Sequence, residues 1–117
     1  MGLAKMKEYD IRLTDAAGAD LGEIFDCIAF HLQEPAVAEN LVRKMHDACL
    51  SLSKAPHIYP LSRDPFLALQ GFRVMPAHNY LIFYTIDEEK ASIIIHRAIY
   101  GKRHYRVLFD GADDIEV

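Results

Sequence analysis

The stretch from Gly71 to Tyr105, GFRVMPAHNYLIFYTIDEEKASIIIHRAIYGKRHY, constrains this chain more than any other. Its β-branched and aromatic residues fall in short blocks separated by polar turns, which predicts three consecutive antiparallel strands. GFRVM is the first, and Met75 to Asn79 reads as a turn. Tyr80 to Ile86 is apolar on both alternating sides, so it belongs in the middle of the sheet. Asp87 to Lys90 forms a polar hairpin loop, and Ala91 to Tyr100 is the third strand. Strict alternation puts Ile93, Ile95, Arg97 and Ile99 on one face and Ile94, His96, Ala98 and Tyr100 on the other.

An isoleucine-rich face needs a cover, and the first half of the chain supplies one. Tyr9 to Leu13 alternates and reads as a short strand, with Thr14 or Asp15 capping the helix that follows. Leu21, Ile24, Phe25, Ile28 and Leu32 recur at helical spacing, and the helix should stop before Pro35. A second helix starts at Pro35 or Ala36, with Val37, Leu41, Met45, Ala48, Cys49 and Leu52 as its stripe. The short connection predicts an antiparallel helix hairpin. Asp15, Asp20, Glu23 and Asp26 read as the solvated outer side of the first helix.

Lys54 to Gln70 carries Pro56, Pro60 and Pro65 and reads as an irregular connection, with His57, Tyr59, Arg63 and Asp64 as contact candidates. After Gly101 a short helix or turn is expected over His104 to Phe109, then an acidic tail. The expected order is β-α-α-β-β-β-short α. The fold class is α+β, a helix hairpin packed on a small antiparallel sheet. Residues 1–117 read as a single domain with frayed ends at 1–8 and 110–117.

At 117 residues the chain can build a core without disulfides or metal. Cys27 and Cys49 lie in apolar helical patterns and read as buried thiols; no zinc-type spacing is present, and neither metal nor cofactor is expected. The first residues lack the apolar core of a secretory signal, and no run approaches a membrane span, so the expected location is cytoplasmic, with no membrane partner. A net charge of -4 gives no bulk attraction to nucleic acid, so any such binding must come from a local patch.

One such patch exists. Arg97, Lys102, Arg103, His104 and Arg106 are interleaved with Tyr100 and Tyr105, and Arg73 opens a neighbouring strand. Arginine pairs with phosphate through two parallel hydrogen bonds, and aromatic rings stack on bases. Cleavage through an RNA 2′-hydroxyl needs a proton acceptor, a proton donor and cations at the phosphate. His96 or His104, Tyr100 or Tyr105, and Arg73 or Arg103 offer those groups. The same cluster suits an acidic partner peptide, and it also suits a purely structural role in which arginines pair with carboxylates.

YDIRLT, DLGEIFDCIAFHL, PAVAENLVRKMHDACLSL, GFRVMPAHNYLIFYTID and IIIHRAIYGKRHY, in that order, make the chain resemble the RelE/ParE superfamily of bacterial toxins. The resemblance implies the toxin of a type II toxin–antitoxin pair, of the kind linked to plasmid stabilisation, neutralised by a cognate antitoxin. Two modes of action follow from it. RelE-like relatives cut mRNA on the ribosome as metal-independent endoribonucleases, and ParE-like relatives inhibit DNA gyrase. On the first reading Arg73, Arg103, His104 and Tyr105 are the catalytic candidates, and Arg97, Tyr100, Lys102 and Tyr80 bind the substrate or target. Tyr80 stands where RelE-like relatives open a strand with arginine, and Phe109 falls at their terminal tyrosine. Arg97, Tyr100, Gly101 and Arg103 follow the ParE-like ending. The available His, Tyr and Arg side chains favour mRNA cleavage; gyrase inhibition, or a degenerate toxin that only binds its antitoxin, is the alternative.

Overall fold

The computed structural model of the chain describes residues 8–101. Strand β1 (Asp10–Leu13) leads into helix α1 (Asp15–Asp26), which loosens into a π-helical turn over Cys27–His31. Helix α2 (Pro35–Ser51) returns antiparallel to it, starting with Pro35 in its first turn, where a missing N–H costs nothing. A short helix α3 (Pro65–Leu69) precedes β2 (Arg73–Ala77), β3 (Tyr80–Asp87) and β4 (Ser92–Tyr100).

The expected α+β architecture is present, a helix hairpin on a four-stranded sheet of order β1-β4-β3-β2. The β2–β3 and β3–β4 pairs are antiparallel. β1 adds a parallel pairing with β4, which makes the sheet mixed. The chain between these parallel strands runs through both long helices, α3, β2 and β3, well beyond the dozen or more residues that a parallel pairing requires. β2 extends through Met75, Pro76 and Ala77, residues that read as turn in the sequence, and the turn shrinks to His78 and Asn79. Pro76 fits because β2 is an edge strand, where a missing donor breaks no ladder. His78 takes a positive φ of 59°, the left-handed backbone that two-residue hairpins need.

The proline-rich connection is less irregular than its composition predicts. The Asp64 carboxylate accepts from the Phe66 N–H at 2.9 Å and caps α3, with Pro65 in the first turn. Leu67 of α3 is fully buried with Phe72, Phe83 and Ile99 on the sheet face opposite the helix hairpin. The main core lies on the other face, where Ile24, Met45, Cys49 and Leu52 meet Met75, Ile82, Tyr84, Ile93 and Ile95. Cys49 is buried there, and burial pushes its thiol up to about 11. Cys27 is exposed instead, because the helical repeat breaks where the π-helical turn begins.

Two sequence expectations fail at one place in β4, for one physical reason. The register passes from Tyr84 opposite Ile95 to Phe83 opposite Arg97, so β4 carries one extra residue, His96, in a β-bulge. Ile93 and Ile95 face the helices, but beyond the bulge Ala98 takes that side and Ile99 joins the opposite cluster. Alternation carried straight through the strand therefore misplaces Ile99.

The second failure is Asp20, which is buried rather than solvated like its neighbours Asp15, Glu23 and Asp26. Its two carboxylate oxygens accept from Arg97 Nε at 2.7 Å and Nη2 at 2.8 Å, and one of them also accepts the Ala98 N–H at 2.9 Å. A bidentate pair of this kind is short and directional. Thr14 joins the same seam. Its N–H donates to the Ile95 carbonyl at 3.0 Å and its hydroxyl to the His96 carbonyl at 2.9 Å, while its oxygen accepts the Ala17 N–H. The cap of α1 and the bulge of β4 thus share hydrogen bonds.

Removing Asp20 leaves the Arg97 guanidinium and the Ala98 N–H without their acceptor in a nearly dry site. Asp20→Ala should cost about 3 kcal/mol of unfolding free energy, measured by urea denaturation. Asp20→Leu combined with Arg97→Met should recover much of that loss. A double variant as unstable as the single one would show that the apolar shape cannot replace the pair.

Candidate functional site

The sheet separates the candidate residues. Arg73 lies opposite Tyr84, so both project on the face that carries the helix hairpin. The Arg73 Nη1 donates to the Tyr59 carbonyl at 2.6 Å, and the Tyr84 hydroxyl donates to the Pro56 carbonyl at 2.7 Å. Together they pin the 54–62 connection over the sheet. Burial drives the Tyr84 hydroxyl up to about 12, although the Arg73 charge opposes the shift, so the group is a neutral donor here.

Arg97 is engaged as well, its guanidinium bound by Asp20 of α1. Its guanidinium is held above the ordinary arginine value, first by the Asp20 hydrogen bond and further by the charges of Asp20 and Glu23, against desolvation.

His96 lies on the opposite face. Its Nε2 is 2.9 Å from the Thr85 hydroxyl, and its ring meets Phe72 edge-on at 4.7 Å. Burial lowers its pKa, which favours the neutral ring. The open depression beside it, of about 610 Å³, is bordered by Asp87, Glu88 and Glu89. That rim has the wrong sign for a phosphodiester.

Tyr80 and Tyr100 are brought together. They are cross-strand partners at the far end of β3 and β4, with rings edge-to-face at 5.8 Å and 66°. Desolvation, then the neighbouring Cys27 and Tyr100, raises the Tyr80 hydroxyl. Lys102, Arg103, His104 and Tyr105, and the expected short helix up to Phe109, lie outside the described residues. Among the loop candidates, His57 is 2.7 Å from a Glu88 carboxylate oxygen, and the other Glu88 oxygen accepts from the Tyr9 hydroxyl at 2.8 Å.

Asp20 is the residue that sequence reasoning missed. Its signal was available in principle: on a helix whose apolar stripe includes Ile24, Asp20 sits four residues earlier, on the same side. Among the described residues no group of three or more His, Cys, Asp and Glu is arranged to hold a metal ion, and no helix is long and apolar enough to cross a membrane.

The sequence profile of the ParE toxin of type II toxin–antitoxin systems, parDE, matches residues 11–105. This chain belongs to the ParE toxin family. No curated protein sequence matches it. Two solved structures share its fold. One, from the chromosomal ParDE toxin–antitoxin system of P. aeruginosa, has a TM-score of 0.66 at 20% identity and covers 80% of this chain and 96% of its own. The other, from the toxin–antitoxin complex RelBE2 of Mycobacterium tuberculosis, has a TM-score of 0.57 at 23% identity, covering 82% and 94%. The toxin therefore has the fold seen in both ParDE and RelBE systems.

The His96 environment gives a pH signature. Its folded pKa lies below the unfolded value of about 6.5. Its stabilising contribution is complete above the unfolded pKa and is lost as pH falls through the folded one. Proton NMR should show His96 titrating below about 6.5. The acid-side loss of stability should shrink in His96→Gln. A His96 midpoint at or above 6.5 would contradict this reading.

Proposed function

We propose that this chain is a type II toxin that arrests growth by binding DNA gyrase, is neutralised by a cognate antitoxin, and does not cut RNA. Among the described residues, the separation of His96 from Arg73 by the sheet, with Arg97 already held by Asp20, carries the reading. A general base and the cations that hold a scissile phosphate must converge within hydrogen-bond reach of one phosphodiester. Here Arg73 projects on the helix face and is engaged with the Tyr59 carbonyl, Arg97 is held by Asp20, and His96 lies on the other face beside carboxylates. The family match supports the same reading. The solved relatives from ParDE and RelBE systems support an antitoxin partner.

The test runs in parallel on cells and on purified components. Induced toxin should arrest growth with translated transcripts intact, and pure toxin should block supercoiling by gyrase. Co-expression of the antitoxin should relieve both effects. New transcript ends at ribosome-occupied codons that disappear in Arg103→Ala, with supercoiling unaffected, would replace this reading with ribosome-dependent mRNA cleavage. Normal growth with neither effect would leave a toxin that only binds its antitoxin.

A further inference from the structure

We infer that the Tyr80–Tyr100 pair and Glu23 form a receptor for a single arginine side chain presented by a protein partner. The cavity they border, also touched by Asp20, Cys27 and Ala98, measures about 170 Å³. That is well under the roughly 300 Å³ at which small-molecule pockets begin, so it suits one side chain rather than a nucleotide. The walls determine its chemistry. Two tyrosine rings, packed edge-to-face at 66°, border the space. A guanidinium stacks on such a face through its planar, weakly hydrated charge.

Charge decides the sign of the occupant. Two groups of opposite sign lie beside the cavity, and they cancel: Asp20 is bonded through both oxygens to Arg97. Among the described residues that border the cavity, Glu23, one helical turn on from Asp20 and exposed, then supplies the net charge. Glu23 itself lines the cavity. A phosphate would be repelled by Glu23, whereas a guanidinium can pair with it while its plane lies on a tyrosine ring. The inference rests on the reading of the chain as a protein-binding toxin, and it names the feature that its partner must present.

The probe is the blocked tripeptide Ac-Gly-Arg-Gly-NH2, titrated into the full chain by NMR, with the citrulline analogue as an isosteric neutral control and a phosphoserine tripeptide as the anion control. The aromatic protons of Tyr80 and Tyr100 should shift saturably with the arginine peptide and stay still with both controls. Glu23→Gln, an exposed change that leaves the fold intact, should weaken binding about three- to five-fold. Tyr100→Leu keeps apolar bulk on the strand but removes the ring, and it should weaken binding by a similar factor or more.

Equal shifts with citrulline, a response to the phosphoserine peptide alone, or unchanged affinity in Glu23→Gln would overturn the inference. The titration contains no gyrase, so the two readings fail separately. If toxin blocks supercoiling but ignores the arginine peptide, the cavity assignment falls and the target assignment stands. If the peptide binds and supercoiling is untouched, the target assignment falls instead.

Discussion

The fold depends on one junction, where the Asp20 carboxylate of α1 holds Arg97 and the Ala98 N–H of β4. A β-bulge leaves a strand locally short of partners and free to twist. Here the helix supplies the missing acceptors: Asp20 binds the residues just past the bulge, and Thr14 binds the carbonyl of the bulged residue itself. The parallel pairing of β1 with β4 ends at Leu13 opposite Ile95, immediately before the bulge. Helix start, strand end and bulge are thus fixed by a single set of polar contacts. A nearly buried ion pair is weak evidence of net stability, because desolvation opposes its attraction. Its geometric consequence is clearer, since it sets which side of β4 faces which core.

That consequence reaches the candidate surface. With the bulge in place, Ile93 and Ile95 join the helix-side core while Ile99 joins Leu67, Phe72 and Phe83 on the opposite side. Each face of the sheet obtains an apolar cluster, and Tyr100 is delivered to the end of the strand against Tyr80. Asp20 meets Ala98 through its in-plane backbone N–H and Arg97 through its side chain, just past the point where β1 stops pairing with β4. Arg97 therefore reports on the scaffold, and its presence near the end of the last strand says little about what the toxin binds.

Most of the scaffold was legible in the sequence because it follows from short-range rules. Thr14 caps α1, Pro35 opens α2, and the apolar block Tyr80–Ile86 occupies a central strand. What was not legible depended on distant partners. Helical spacing puts Asp20 on the side of Ile24, but a carboxylate there reads as solvated until its partner Arg97, 77 positions away, is known. The same is true of Arg73: a basic residue opening a strand looks like an exposed cation until the Tyr59 carbonyl folds over it. The bulge was hidden because an inserted residue in a run of isoleucines leaves a pattern that still looks like alternation. α3 was hidden because three nearby prolines suppressed a helix that Asp64 and Pro65 were well placed to start.

The electrostatics of the described surface then argue from the same engagement. Arg73 and Arg97 look like phosphate-binding groups in the sequence, yet each meets an acceptor from its own chain. One concave feature at the Tyr80–Tyr100 end is bordered by Glu23, and the one at the His96 end by Asp87, Glu88 and Glu89. The carboxylates at these two places favour a cationic group over a phosphate. A nuclease working on the same fold would need arginines that α1 and the 54–62 connection leave unclaimed. Whether a chain with this scaffold can cut RNA therefore depends less on how many arginines it carries than on whether acceptors such as Asp20 and the Tyr59 carbonyl already hold them.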